Sequence, residues 1–461
     1  MTQFNLAKIL GISSSYLNLI ENNKRNVTGD LLVKLAEVFN ADLASFSRED
    51  DPQLSSSMIE ILSDNIFEKL DIATSDVNDL VVNQPIMARA MVALYDNYNN
   101  IKLDKNNFEI TEASDSNLSN KISAEVVSDF IQQSKNYFEE LEVSTSRIAN
   151  EINLMNCRPE DYFNRICVYL EKLYKIRVSL VPPDITHSTV RLFDPVARTV
   201  ALSDALPLES RTFLLAQQLG FVAANNEINL ITDRSNISIH EPKMLLRNAL
   251  ANYFAAALIM PYKVFYQSAQ LFKYDIEKLQ HRFGVSMEQV FHRLTTLQKP
   301  GMRGISFHML RVDIAGNISK KISLSGISLP RYTGACARWN VYTAFTAPDI
   351  FNLQISEMPD GKRYFCIAKT VRKTGGGFGL PQTYYSIGLG CSLEDADKLI
   401  YANNIDFSKN NNQIVPVGVS CRTCSRLNCR QRAFPPFDRK LKIDENFKGL
   451  SAYVSKVNSN I

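Results

Sequence analysis

The 461-residue sequence has no long apolar run, no charge imbalance and no leader-like opening. Its longest apolar stretch, ALANYFAAALIMPY, carries Asn252 and is well short of the about 20 residues that span a bilayer. No basic-then-apolar segment begins the chain, so a cytoplasmic protein without membrane contact is expected. Lys and Arg number 51 against 48 Asp and Glu, a net +3. Contact with nucleic acid must then come from a local patch and not from a global field. In a reducing compartment the 8 cysteines favour metal ligation or buried thiols over a disulfide framework. The length suits about three domains.

The first forty residues carry a short-range pattern. Leu6, Ile9 and Leu10 recur at helical spacing, Gly11 breaks the helix, and Ser13 is placed to cap a second one. Leu17, Leu19 and Ile20 are expected to face inward, and Leu31 to Phe39 reads as a third helix. Two short helices joined at a glycine follow the helix-turn-helix plan, in which the second helix enters the major groove of double-stranded operator DNA. Gln3, Ser13, Ser14, Ser15, Tyr16 and Asn18 are the candidate base or phosphate contacts. Lys24 and Arg25 are candidate phosphate anchors that fix register and not sequence. The wording LAKILGISSSYLNLIENNKR resembles phage-repressor-type (XRE) DNA-binding domains. These normally have one more helix before this point, so an incomplete head is expected.

From Ala41 to about Leu103 the pattern is helical and amphipathic, a linker or dimerisation region. Asn106–Asn120 is polar and reads as a connection, before another helical run containing Val127, Phe130, Ile131, Phe138 and Leu141. The stretch from VRLFDPVARTVALSD to LLAQQLGFVAA resembles the metallopeptidase-like domain of the IrrE/ImmA type, whose helix should carry His-Glu-x-x-His to hold zinc and activate water. Here those positions are Gln217, Gln218 and Phe221. The downstream helix RNALANYFAAALIMPY offers Arg247, Asn248 and Leu250 where a carboxylate ligand belongs. Amides and a phenyl ring cannot bind zinc. A degenerate scaffold, not a hydrolase, is expected.

The last third turns to strand character. Ile305, Phe307 and Met309 alternate, DIAGN makes a turn, IAKTVRK and SIGLGCSL read as strands, and LEDADKLIYANNI reads as a helix. The segments HRLTTLQKPGMRGISF, RVDIAGNISKKIS, CARWNVYTAF, IAKTVRK, SIGLGCSL and CRTCSRLNCRQRAFPP together resemble the short-chain fatty-acyl transcriptional regulators. The resemblance implies an XRE head, an IrrE-like middle and a distinct C-terminal sensor. It also implies a response to short-chain acyl-CoA thioesters and control of acetate, propionate or glyoxylate-cycle genes. A 4Fe-4S cluster on the C-terminal cysteines is implied by some members.

An acyl-CoA needs cations for its phosphates and an aromatic surface for its adenine. Arg338, Trp339, Lys369, Arg372, Lys373 and Gly376 are the candidates, with Gly375 and Gly377 extending a loop that backbone could bring close to a ligand. Cys421, Cys424 and Cys429 have C-x2-C-x4-C spacing. Zinc wants a fourth ligand, and the position of a CCHC knuckle ligand is Phe434. Arg422, Arg426, Arg430 and Arg432 would offset the charge of a thiolate-bound cluster, which favours iron–sulfur over zinc or no metal. Cys391 is the leading candidate for the fourth ligand, ahead of Cys336 and Cys366, while Cys157 and Cys167 read as structural.

The expected fold is multidomain. An all-α helix-turn-helix head (1–45) and helical linker (46–150) precede an α+β body made of a degenerate metallopeptidase-like domain (151–300) and a C-terminal sensor domain (301–461). The expected activity is that of a homodimeric, non-enzymatic regulator. A phage-type or toxin–antitoxin repressor without small ligand, and an IrrE-type peptidase regulator, are the competing readings.

Overall fold

The computed structural model describes residues 3–21, 52–67, 72–106, 115–182, 189–237, 239–332, 334–373, 382–403 and 414–437, with isolated residues such as Arg25, Leu31, Phe39 and Tyr453 between or beyond them. Two short helices open the chain, α1 (Gln3–Leu10) and α2 (Ser14–Glu21). Gly11 at φ +72° makes the turn between them, a left-handed conformation cheap only for glycine. Ser13 caps α2 as expected, its Oγ accepting from Tyr16 N–H at 3.1 Å. Ala7, Leu10, Leu17 and Leu31 form the small core of this head. Leu19, expected inside, is exposed, as is Ile9, because two eight-residue helices share one narrow seam and leave their flanks in solvent.

A second helical unit follows, α3 (Pro52–Leu62), α4 (Thr74–Asn83) and α5 (Pro85–Asn106). Met58, Ile61, Val77, Val81 and Ala88 make its core, with Tyr332 and Phe437 from far along the chain packed against it. The linker is therefore docked onto the body. Helix α6 (Asp115–Gln133) begins inside the stretch expected to be a connection. It leads to α7 (Glu139–Glu151) and α8 (Tyr162–Tyr174).

The middle of the body has a three-stranded sheet, β1 (Arg177–Val181), β2 (Arg191–Asp194) and β3 (Thr199–Ser203), in the order β1-β3-β2. Around it lie α9 (Leu208–Ala223), α10 (Asn225–Arg234), α11 (His240–Ile259), α12 (Tyr262–Leu271), α13 (Ile276–Phe283) and α14 (Met287–Thr295). The C-terminal half of helix α11, from Leu250 to Ile259, is apolar nearly all round and is the buried spine, covered by neighbours on every side. Within this core the Arg293 guanidinium sets Nη1 on Glu142 Oε1 at 2.6 Å and Nη2 on Oε2 at 3.0 Å, and its Nε donates to Met260 O at 3.0 Å.

The C-terminal sheet has six strands, β4 (His308–Asp313), β5 (Ile318–Ser323), β6 (Asn352–Glu357), β7 (Arg363–Lys373), β8 (Thr383–Ser392) and β9 (Ile414–Pro416), in the order β5-β4-β8-β7-β6-β9. Only the β6–β9 pairing is parallel. DIAGN is the β4–β5 turn, with Asn317 N–H donating to Asp313 Oδ1 at 2.9 Å. LEDADKLIYANNI forms two 3-10 turns and not an α-helix. Alternation sends the two faces of the sheet to different cores. Phe365, Ile367, Leu389 and Cys391 join the core of the peptidase-like domain. Leu310, Val312, Cys366 and Ala368 join a second core with Cys336, Trp339, Val341 and Val417. The sensor half thus shares its core with the middle domain on one face. Among the described residues no helix is long and apolar enough to cross a membrane.

Candidate functional site

Between α6, the peptidase-like helices and the β4–β5 hairpin lies a chamber of about 900 Å³. Phe138, Phe213, Leu214, Leu250 and Tyr253 give it an apolar wall. The hairpin supplies the opposite wall because Met309 and Arg311 point to this face of β4 while His308 and Leu310 point to the other.

One pole is cationic. Glu288, just inside the Ser286 cap of α14, accepts from Arg311 Nη1 at 2.7 Å and from Lys320 Nζ at 3.0 Å, and meets Lys373 Nζ at 2.9 Å. Burial alone would push the Glu288 carboxyl up, but Lys320, Lys373 and Arg311 together outweigh it and hold it well below the usual carboxylate range. Three cations around one carboxylate leave unbalanced positive charge on a chamber wall. His292, one turn further on α14, is neutral there, since burial and then Lys320 push it down to about 4.

The other pole is a clasp between the sensor and the helical unit. Arg331 Nη1 lies 2.8 Å from both Asp129 carboxylate oxygens, and its Nη2 lies 3.2 Å from Asp96 Oδ2. Tyr332 donates its hydroxyl to Asp96 Oδ1 at 2.8 Å. The backbone N–H groups of Arg331 and Tyr332 both donate to Glu60 Oε2 at 2.8 Å. Gln53 of α3 holds both backbone groups of Leu329, accepting at 2.9 Å and donating at 2.8 Å. Lys321 pairs with Glu125 of α6 at 2.7 Å. Lys321, Arg331, Tyr332 and Glu125 also line the chamber, so one set of residues forms its wall and anchors α3 and α5.

Of the residues expected to bind ligand, only Lys373 reaches this chamber. Trp339 lies on the opposite face of the sheet, where its Nε1–H donates to Gly418 O at 3.0 Å, and Arg338 precedes it there. Lys369 is committed to Glu277 at 3.2 Å and to the Phe351 ring. Arg372 is exposed, and Gly375, Gly376 and Gly377 lie outside the described residues. Arg311, Lys320, Lys321 and Arg331 were not legible as ligand residues. The ISKKIS strand gave only a pair of lysines, and burial of one of them behind α6 is a long-range fact.

At the degenerate zinc motif a basic side chain packs against the helix. Arg191 of β2 donates through Nη1 to Gln218 Oε1 at 2.7 Å, and its guanidinium lies over the Phe221 ring at 5.5 Å. Burial lowers its affinity for the proton below that of a free arginine. A fixed cation thus stands beside one position where the motif would hold a metal, Phe221, and beside the position of its water-activating Glu, Gln218. Arg247 is held by Asn229 and by Asn225.

In the cysteine loop, Cys421 and Cys429 are half-buried and Cys424 is buried. Arg432 organises it, donating to Cys421 O and Cys424 O at 2.7 Å each, to Phe434 O at 3.1 Å and to Arg426 O at 2.5 Å. Arg426 is bound to Met358 O at 3.0 Å and to Glu357 O at 2.9 Å. Ala433 N–H points at Cys421 Sγ at 3.4 Å. Arg432 Nε is buried with no partner among the described residues, a donor that a sulfur-rich group would satisfy. Among the described residues no group of three or more His, Cys, Asp or Glu side chains is already converged on a metal position. The expected fourth ligand, Cys391, is corrected by the fold. It is fully buried on β8, on the face belonging to the peptidase-like core, while the cysteine loop packs on the other face.

In the head, Ser13, Ser15 and Asn18 are exposed along α2 and Ser14 is half-buried. Tyr16 is half-buried beneath Arg25, 4.9 Å from its ring. Gln3 is bonded to Glu21 across the two helices, and Lys24 lies outside the described residues.

A helix-turn-helix head on a body whose peptidase-like domain has lost its metal ligands defines a DNA-binding transcriptional regulator. Residues 1–46 match the helix-turn-helix model, 172–295 the IrrE N-terminal-like domain and 296–453 the short-chain fatty acyl coenzyme A regulator, C-terminal model. The chain is 34% identical over 460 residues to the HTH-type transcriptional regulator RamB of Mycobacterium tuberculosis, covering 99% of this chain and 96% of that one. It is 32% identical over 453 residues to the propionyl-CoA carboxylase regulator of Cereibacter sphaeroides, covering 98% and 95%. A solved Mycobacterium tuberculosis transcriptional regulator superposes with a TM-score of 0.68 at 34% identity, over 72% of this chain and 99% of that chain. The chain belongs to the short-chain fatty acyl coenzyme A regulator family.

Proposed function

We propose that this regulator binds a short-chain acyl-CoA in the chamber and that occupancy sets its affinity for operator DNA. The observation that carries the reading is the chamber itself. At about 900 Å³ it lies within the range of about 300–1,000 Å³ typical of small-molecule sites. It offers an apolar wall for an acyl-pantetheine arm and a surplus of cations, Arg311, Lys320 and Lys373, for phosphates. Control requires unequal affinity for the two DNA-binding states. The clasp at Arg331 gives that inequality a route, because it joins the chamber wall to the helices that follow the head. The regulator acts in the cytoplasm as a homodimer on a two-fold operator, and an iron–sulfur cluster on the C-terminal cysteines adds a second input.

The test is a gel shift on the region upstream of the chain's own gene, with and without acetyl-CoA, propionyl-CoA or free CoA, paired with calorimetry of the same ligands. An acyl-CoA that binds and changes operator affinity supports the reading. Operator binding with no heat and no shift from any of them leaves a ligand-independent repressor.

A further inference from the structure

We infer that Glu288 is a built-in competitor for the phosphates of the chamber's ligand. Its carboxylate holds the place among Arg311, Lys320 and Lys373 that a phosphate would take, so that a diphosphate enters and a free short-chain acid does not. The inference deepens the acyl-CoA reading of the chamber and rests on it for the ligand's identity.

The geometry carries it. Glu288 Oε1 accepts from Arg311 Nη1 at 2.7 Å and from Lys320 Nζ at 3.0 Å, while Oε2 meets Lys373 Nζ at 2.9 Å. Both oxygens are thus held by cationic donors of the kind that a phosphate recruits. Among the described residues none of the three cations has an ion pair with any other carboxylate. Glu125, the other acidic residue of the chamber wall, is taken by Lys321 at 2.7 Å in the opposite pole.

The cations have placements of their own. Arg311 Nε donates to Ser319 Oγ at 2.8 Å, and its guanidinium lies 4.6 Å from the centre of the Tyr385 ring. Lys320 and Lys373 reach in from β5 and β7 with nearly half of each side chain in solvent, which lets them follow an incoming anion. The Glu288 side chain is only 10% exposed. It does not start its helix either, because Ser286 and Gln289 make the hydrogen-bonded cap of α14.

Charge then decides what displaces it. Exchanging one carboxylate for another gains no charge, and a tethered group competes at an effective concentration on the order of millimolar. A terminal phosphate brings about −1.5 to −2 at neutral pH, and a diphosphate adds a second group. Such a ligand balances the three cations better than Glu288 does.

The full chain and its Glu288→Gln variant are titrated by calorimetry with inorganic pyrophosphate, propionate and propionyl-CoA. Glu288→Gln is expected to bind pyrophosphate about tenfold tighter or more than wild type, since one competing charge-assisted contact is gone. Wild type is expected to give no heat with propionate. Pyrophosphate binding that is equal or weaker in Glu288→Gln, or absent from both proteins, overturns the inference, as does propionate bound by wild type as tightly as pyrophosphate. If Glu288→Gln gains pyrophosphate while propionyl-CoA binds neither protein, the acyl-CoA reading falls and the competitor stands.

A purely supporting role for Glu288 is separated by melting at low salt. Pyrophosphate is expected to raise the melting temperature of Glu288→Gln more than that of wild type, by mass action. Equal shifts overturn the inference. Glu288→Ser, which leaves room for water among the cations, is run beside it, so that the comparison stands if the buried amide does not fold.

Discussion

Arg331 and Asp129 stand 202 residues apart in sequence, yet Arg331 Nη1 meets both carboxylate oxygens of Asp129 at 2.8 Å. The pair closes one wall of the chamber and pins the sensor to α6, while Asp96 brings in α5. Replacing Arg331 by Met is expected to loosen the α3–α5 unit at a cost of about 1–3 kcal/mol, the range for a charged hydrogen-bonded pair, kept low because Asp129 is half exposed. Limited proteolysis should cut within 52–106 sooner than in wild type. An unchanged digestion pattern would remove Arg331 from any route between chamber and head.

The buried Arg293–Glu142 pair behaves differently, with the guanidinium fully buried and the carboxylate nearly so. Breaking such a pair strands a charge, so Arg293→Met is expected to lose about 3–5 kcal/mol in urea unfolding. Arg293→Met/Glu142→Leu should regain much of that loss. Equal losses in the single and double variants would mean that packing, and not the stranded carboxylate, sets the cost.

Removal of Lys320 or Arg311 as alanine variants is expected to weaken acyl-CoA binding about tenfold each by calorimetry, since each removes one charge-assisted contact to phosphate. Leu214→Ala, on the apolar wall, should instead narrow the difference between acyl-CoA and free CoA. Wild-type affinity in Lys320→Ala and Arg311→Ala together would place the phosphates elsewhere.

Stability should fall as pH drops below about 6.5. Burial pushes His308 down to about 3, and burial with Lys320 pushes His292 down to about 4. Below 6.5 the unfolded chain takes up protons that the folded chain refuses, so the unfolded state gains. Each histidine adds a slope of at most about 1.4 kcal/mol per pH unit. Urea midpoints at pH 7 and pH 5 read the sum, and His308→Gln should reduce the slope by about half. A midpoint flat over that range would show that both rings are charged in the fold.

In the head, Ser13→Ala is expected to lower melting stability by about 1 kcal/mol through the lost cap. Ser15→Ala and Asn18→Ala should lower operator affinity without that loss. Arg25→Ala should reduce the slope of log affinity against log salt by about 1. If Ser15→Ala and Asn18→Ala bind like wild type, α2 does not read the bases.

The sequence by itself determined what short-range patterns encode. Gly11 and Ser13 marked the turn and cap of the head, Gln217, Gln218 and Phe221 showed that zinc ligands are gone, and alternation named the strands of the C-terminal sheet. Tertiary structure decided what depends on which face of which element meets a distant one. Cys391 and Cys366 lie in facing strands, one residue out of register, yet they project to opposite faces and enter different cores. No spacing rule could have shown that Cys336 lies beside the cysteine loop, where its N–H donates to Val419 O and the Trp339 indole donates to Gly418 O. The chamber was equally hidden, because its cations come from β4, β5, β7 and the segment after β5, and only the docking of α6 over the hairpin turns a surface lysine pair into a wall.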